Sequence, residues 1–267
     1  MNNKKQDFKN TELVALDLDG TLLDSNLQVS QRTKEKIREL VDRGIHVALV
    51  TGRTFKAAEF IRESLGLDLP IVAYNGGKVV FSKNEEVFST KIPLAEALKI
   101  IKYGEERNLY VKVYIDDVLH IKEPDEKSLA FSVSNNIDYK VVGKLSENIH
   151  EDVNMIVVYY KEDIHGVIDE KLKDIKVTIT TSVSNSIDVI PEGISKDKGL
   201  KMVAEHLNIE RNNILAFGNS LNDLEMLKYA GIGIAMKNSD ISLLRKWDNI
   251  SRYTNDEEGV YHIIKGI

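Results

Sequence analysis

Short apolar runs alternate with amphipathic stretches along the first part of the chain. Leu13-Val14-Ala15-Leu16 is flanked by polar residues, the pattern of a strand buried on both faces, and it runs into Asp17-Leu18-Asp19-Gly20-Thr21. Ser30 then precedes a stretch whose apolar Ile37, Leu40 and Val41 share a helical face before Gly44, which predicts a capped helix. Residues 45–50 read as a second strand, followed by Thr51-Gly52-Arg53 and a helix over 54–65. A third strand over 70–74 meets Asn75-Gly76-Gly77. Strands alternating with helices of this length predict βαβ units and a parallel sheet.

The rhythm changes after about Lys83. Strands over 110–115 and 118–121 lie close together across Asp116-Asp117, as in a hairpin, and are followed by a strand over 155–160, a polar helix around 163–172 and a strand over 176–180. From 187 the earlier pattern returns, with strands over 187–190, 214–217 and 231–235 and helices over 198–207 and 221–228. The expected architecture is an α/β core of residues 1–83 and 187–267, interrupted by an α+β insertion over 84–186 with antiparallel pairing. No internal repeat or low-complexity segment is visible.

Composition narrows the class. The chain has 267 residues, 42% hydrophobic and 29% charged, values typical of a globular domain. Zero cysteines exclude a disulfide scaffold and thiolate-ligated metals, and the six histidines show no ligand spacing. A net charge of -6 argues against nucleic acid or an anionic membrane as partner. The opening MNNKKQDFKN is polar, so a secretory leader is not expected, and no run of about 18 apolar residues suggests a membrane span. A cytoplasmic protein is the expectation.

Ligands of open parallel sheets bind outside the carboxyl ends of the strands. Here those ends carry groups that a phosphate reaction needs: Asp17 with Asp19, Thr51, Lys196 on the loop before its helix, and Asn219 with Asp223. Asp17 and Asp19 are two apart and can face one crevice, where two carboxylates repel unless a cation joins them. Oxygen ligands without histidine or cysteine select Mg2+.

These residues carry a resemblance. Asp17-Leu18-Asp19-Gly20-Thr21-Leu22 resembles the first motif of the haloacid dehalogenase-like hydrolases, Thr51-Gly52-Arg53 the second, Ile194-Ser195-Lys196 the third and Gly218-Asn219-Ser220-Leu221-Asn222-Asp223 the fourth. Gly231-Ile232-Gly233-Ile234-Ala235-Met236 and Asn255-Asp256-Glu257-Glu258-Gly259-Val260 are similar to the Cof-type phosphatases in particular. The resemblance implies a Rossmann-like core and a cap over small substrates. It implies a Mg2+-dependent phosphatase of small phosphorylated metabolites, sugar phosphates or similar monoesters, that works through an aspartyl-phosphate.

By resemblance, Asp17 is the nucleophile, Asp19 the general acid and base, Thr51 a hydrogen-bond donor to the phosphoryl group and Lys196 its electrostatic partner. The Leu18 and Gly52 N–H groups would cradle phosphate oxygens, and Asn222 would hold the phosphate-side network. Metal ligands would be Asp17, the Asp19 carbonyl, Asn219 and Asp223. The family usually has aspartate at position 219, so Asn219 implies weaker cation binding, with Asp223 sharing the role. Lys198 competes for the third motif, but Lys196 keeps the register with Ala204-Glu205-His206-Leu207.

Asn75 is a turn residue that also borders the substrate, and Tyr114 and His120 are candidates for the cap face; Arg53 reads as structural. Competing functions are a sugar-phosphate mutase of the same superfamily and a catalytically weakened regulatory or binding protein. A dehalogenase is disfavoured by Asp19. The expected cap holds 13 Lys plus Arg against 19 Asp plus Glu, while the core holds 23 of each, so the acidic excess lies on the lid.

Overall fold

The computed structural model describes residues 8–83, 85–164 and 168–267. The first segment alternates β1 (Leu13–Leu16), α1 (Gln31–Asp42), β2 (His46–Val50), α2 (Phe55–Leu65) and β3 (Ile71–Ala73), then adds a hairpin of β4 (Lys78–Ser82) and β5 (Glu85–Ser89). Both helices begin as their sequences predict: Ser30 accepts from the Thr33 N–H and Thr54 from the Ala57 N–H, each satisfying a donor that the first turn leaves open. Gly66, at φ +66°, closes α2.

The middle segment comprises α3 (Leu94–Glu106), β6 (Tyr110–Ile115), β7 (Val118–Ile121), α4 (Glu126–Ser134), β8 (Tyr139–Val141), α5 (Leu145–Asn148), β9 (Met155–Tyr159), β10 (Val177–Thr180) and β11 (Ser186–Pro191). The last segment contains α6 (Lys196–Leu207), β12 (Ile214–Gly218), α7 (Leu224–Tyr229), β13 (Ile232–Ala235), α8 (Ile241–Leu244) and α9 (Gly259–Ile264).

Two sheets result. The first has the order β13-β12-β1-β2-β3-β4-β5, parallel from β13 to β3 and antiparallel beyond. Alternation along β1 explains its burial. Val14 and Leu16 pack in a cluster with Ile37 and Leu40 of α1 and Ile61 of α2; Leu13 and Ala15 pack in another with Leu200 and Val203 of α6 and Leu227 of α7. Truncating such a wholly buried leucine to alanine costs about 2–5 kcal/mol.

The second sheet has the order β10-β11-β9-β6-β7-β8 and is antiparallel except between β7 and β8. One face packs Val111, Val113 and Ile156 against Ile100 and Ile101 of α3. The opposite face presents Tyr114, Met155 and Val157, which join the same cluster as Leu16 and Phe217 of the first sheet. The β6–β7 turn docks on the core: the Asp117 carboxylate accepts from the Lys56 N–H at 3.0 Å and the Tyr74 hydroxyl at 2.7 Å.

Sheet pairing runs past positions 83/84 and 186/187, where the expected core and insertion meet. β5 belongs to the first sheet, and the strand expected to re-enter the core, over 187–190, is part of β11 in the second, where Asp188 lies opposite Thr180 and Val157. A short apolar run fits a strand in either sheet, and only long-range pairing decides which. Asn84, at the expected boundary, lies outside the described residues, as do residues 1–7 of the polar opening and 165–167 of the helix expected around 163–172. The described end of that helix is a single 3-10 turn, Glu170–Leu172. Among the described residues no helix is long and apolar enough to cross a membrane.

Candidate active site

Registry of the first sheet assembles the site. Leu16 lies opposite both Phe217 and Leu49, so β1, β2 and β12 end together and deliver Asp17, Thr51 and Asn219 to one edge. The Asp17 N–H donates to the Phe217 carbonyl at 3.1 Å, and the chain then turns sharply, Thr21 and Leu23 both donating back to the Leu18 carbonyl. Gly20 makes the turn at φ +70°, and a Cβ there would lie 2.3 Å from Asn219 Nδ2, so its missing side chain lets Asn219 lie against the turn.

Lys196 is the first residue of α6 rather than part of the preceding loop. Its ammonium lies 2.7 Å from Asp17 Oδ1 and 2.6 Å from Asp223 Oδ1, and all three side chains are almost wholly buried. Burial alone would lower the Lys196 pKa, but the two carboxylates outweigh it and hold it above the ordinary lysine value. The Asp17 carboxyl is raised, by burial first and then by the Asp223 charge, in spite of Lys196. Lys198, the competing residue, instead hydrogen-bonds the Gly193 carbonyl at the surface.

The raised Asp17 gives the metal its physical test. Two buried carboxylates face one ammonium, and the uncompensated negative charge suits a cation. Asp17, Asp19 and Asn219 line the same cavity, and the Asp17 carboxylate, the Asp19 carbonyl and the Asn219 amide would offer hard oxygens of the kind that suits Mg2+. Asp223, expected to share the cation, has both carboxylate oxygens hydrogen-bonded: Oδ1 to Lys196, and Oδ2 to the Asn219 and Ser220 N–H groups at 2.9 and 3.0 Å.

Asp19 turns away from that triad. Arg53 grips it in fork geometry, Nε to Oδ2 at 2.8 Å and Nη2 to Oδ1 at 2.5 Å. Arg53 had read as structural; here it lines the site cavity. Thr51 Oγ1 accepts from the Arg53 N–H at 3.1 Å, tying the second motif to the same pair.

Asn75, expected to border the substrate, is 1% exposed and lies just behind the cavity lining. It adopts the left-handed conformation (φ +54°), which asparagine tolerates better than most residues, and links two residues that do line it. Its Oδ1 accepts from Asn222 Nδ2 at 3.0 Å, and its Nδ2 donates to Asp188 Oδ2 at 3.3 Å. Asn222 Oδ1 is buried without a hydrogen-bond partner. Leu18 is buried and outside the lining, whereas Gly52 borders the cavity.

The cavity, of about 430 Å³, lies between the two sheets. Tyr114 lines it and His120 does not. Asp188 and Asp240 were not foreseen. Asp188 sits in β11, whose apolar run suits either sheet; Asp240 follows the fourth motif by 17 residues, and its backbone N–H donates to the Asn219 carbonyl while its carboxylate accepts from Ser220 Oγ. Burial raises the Asp188 carboxyl pKa.

The chain belongs to the haloacid dehalogenase-like hydrolase family, whose model matches residues 14–264. It is similar to a 5-amino-6-(5-phospho-D-ribitylamino)uracil phosphatase of Bacillus subtilis (strain 168), at 32% identity over 262 residues that cover 95% of this chain and 96% of the relative. It is also 30% identical over 266 residues to a stress response protein of the same organism, covering 95% and 92%. A solved haloacid dehalogenase-like hydrolase from B. subtilis superposes with a TM-score of 0.83 at 26% identity, covering 96% of this chain and 99% of that one.

Proposed function

We propose that this hydrolase is a Mg2+-dependent phosphatase of small phosphorylated metabolites that works through an aspartyl-phosphate on Asp17. The observation that carries the reading is the buried Asp17–Lys196–Asp223 triad, with Asp19 beside it outside the triad's hydrogen bonds. Phosphatase names among the relatives, the 5-amino-6-(5-phospho-D-ribitylamino)uracil phosphatases included, support it. We take the second sheet as the cap, entered after Ser89 and left after Pro191.

Lys196 fixes one oxygen of Asp17 and leaves Oδ2 to attack phosphorus. As the new O–P bond forms, the ester O–P bond breaks, and Asp19 protonates the leaving oxygen. Asp19 then takes a proton from water, whose oxygen attacks the phosphorus of the aspartyl-phosphate and regenerates Asp17. Arg53 sets the direction of the Asp19 carboxylate. Thr51 and the Leu18 and Gly52 N–H groups would meet phosphoryl oxygens, and Asn222 would help to hold that side of the site. Asp17, the Asp19 carbonyl and Asn219 would hold Mg2+, which when bound supplies neutralising charge for the phosphoryl oxygens.

The test is release of free phosphate from p-nitrophenyl phosphate with Mg2+, stopped by EDTA, without any bisphosphate activator. Transfer to a second site of a sugar phosphate with no net phosphate release would instead make the chain a mutase. Absence of both reactions would leave a binding protein.

A further inference from the structure

The second sheet reaches the catalytic residues by a route behind the cavity. Asp116 and Asp117 form the two-residue loop between the paired Ile115 and Val118, at φ +47° and +65°. A type I′ turn needs positive φ at both central residues, which Asn-Gly adopts at least cost. Aspartate at both positions costs more, and each carboxylate has a use outside the turn. Asp116 pairs with Lys91 at 2.8 Å, while Asp117 accepts from the Lys56 N–H in the first turn of α2 and from the Tyr74 hydroxyl. The last contact is a two-way clasp, because the Asp117 N–H donates back to Tyr74 Oη at 3.1 Å.

The other side of the clasp is strained. Tyr74 and Asn75 follow β3 with φ of +51° and +54°, and for a bulky side chain such as tyrosine this conformation is an outlier. Backbone of this kind persists where its surroundings over-determine it. The surroundings here are the second motif: the Tyr74 N–H donates to the Arg53 carbonyl at 2.9 Å and the Asn75 N–H to the Thr51 carbonyl at 3.0 Å. The same two residues hold the second sheet by their side chains, Tyr74 through Asp117 and Asn75 through Asp188. Burial, and after it the Asp117 charge, push the Tyr74 phenol up, so it stays protonated as the donor to that carboxylate.

Resting on the phosphatase reading above, we infer that Tyr74 is a positioning residue for the acid step: its clasp with Asp117 holds the left-handed backbone, that backbone holds the Arg53 carbonyl, and Arg53 keeps Asp19 aimed at the leaving oxygen. Asp19 is therefore an effective proton donor only while the β6–β7 loop is seated on Tyr74, which ties turnover to closure of the second sheet over the site. Tyr74 and Asp117 act through Arg53 and not on substrate, since both lie outside the cavity lining that contains Arg53 and Asp19.

The experiment measures kcat/KM with Mg2+ for a series of substituted phenyl phosphates in the parent, Tyr74→Phe and Asp117→Gly. This parameter covers the steps up to the aspartyl-phosphate, in which the ester O–P bond breaks and Asp19 gives its proton to the leaving oxygen. p-Nitrophenolate departs with little help, whereas the more basic phenolate needs the proton. Both variants should lose about ten-fold with phenyl phosphate and little with p-nitrophenyl phosphate, so that the dependence on leaving-group basicity steepens. Tyr74→Phe keeps the buried ring, and glycine suits the turn better than aspartate, so each variant removes the clasp and leaves its surroundings in place. A loss of equal size across the series, or no loss, in either variant would overturn the inference and leave the phosphatase reading standing. Should the parent cleave no ester, the phosphatase reading fails, and amide hydrogen exchange decides the coupling. The Arg53 and Asn75 N–H groups, which both donate to Thr51, should exchange faster in the two variants than in the parent; unchanged exchange overturns the inference.

Discussion

Arg53 holds Asp19 by two parallel hydrogen bonds, at 2.8 and 2.5 Å, although the Asp19 side chain is 54% exposed. An exposed carboxylate would otherwise sample several rotamers, and a general acid works only from one direction. Arg53→Ala is expected to lower kcat for p-nitrophenyl phosphate by about 10²-fold. Arg53→Lys keeps the charge but loses the fork, and should recover only part of that loss. Steady-state kinetics of both variants check this; a kcat like that of the parent in Arg53→Ala would remove Arg53 from the mechanism.

Lys196 neutralises two carboxylates at once, so its loss should hurt folding as well as turnover. Lys196→Met leaves Asp17 and Asp223 facing each other without it, a cost of about 3–5 kcal/mol. Adding Asp223→Asn to Lys196→Met should restore much of the stability but no activity, because the charge facing the transferring phosphoryl group is still missing. Thermal unfolding in metal-free buffer, alongside kinetics, separates the two effects. Equal stability of the single and double variants would show that the carboxylate repulsion is minor.

Asn219 lies against the Gly20 turn beside Asp19 and brings an amide where a carboxylate would add charge. Asn219→Asp should therefore raise Mg2+ affinity. The measurement is the Mg2+ concentration that produces half of the maximal thermal shift, since a ligand that binds only the folded state raises its stability. The variant should need about ten-fold less Mg2+; an unchanged midpoint would place the cation elsewhere.

Asp188 is buried, and its carboxyl titrates above the ordinary aspartate range because burial disfavours its charge. Folding is therefore favoured by the protonated form. The associated stability is fully present below the unfolded-state pKa and is lost as pH rises through the folded-state value. Lys196, Tyr114 and Tyr159 are the titratable groups that interact with it. Asp188→Asn removes the titration, so its melting temperature relative to the parent should be higher at pH 8 than at pH 4. A difference that does not change with pH would contradict the burial argument.

Sequence alone made the parallel core legible because strands covered on both faces are short apolar runs whose polar ends mark the site edge. β1 and β12 appeared in that way, together with Asp17, Lys196 and Asn219. The β6–β7 hairpin was equally readable, because Asp116 and Asp117 interrupt two apolar runs. What escaped was decided by contacts remote in sequence. β5 is largely exposed, so its pairing with β4 left little apolar signature, and β11 is apolar in a way that suits either sheet. Arg53 acquires its role only from Asp19, 34 residues away, and Asp188 only from the cavity that both sheets enclose. Asn75 and Asp223, expected as a substrate neighbour and a metal ligand, have polar atoms bound to Asn222, Asp188 and Lys196, contacts that no local pattern in the sequence signals.

The central claim is that Asp17 carries the phosphoryl group between the two halves of the reaction. Asp19→Asn slows the water step, so this variant mixed with p-nitrophenyl phosphate and Mg2+, then quenched in acid, should accumulate the intermediate. Peptide mass spectrometry should find one added phosphoryl group, labile to hydroxylamine, on the peptide containing Asp17. The adduct should be absent in Asp17→Asn, and that variant should be inactive. Undiminished turnover by Asp17→Asn, or a phosphoryl group trapped on another residue, would contradict the account.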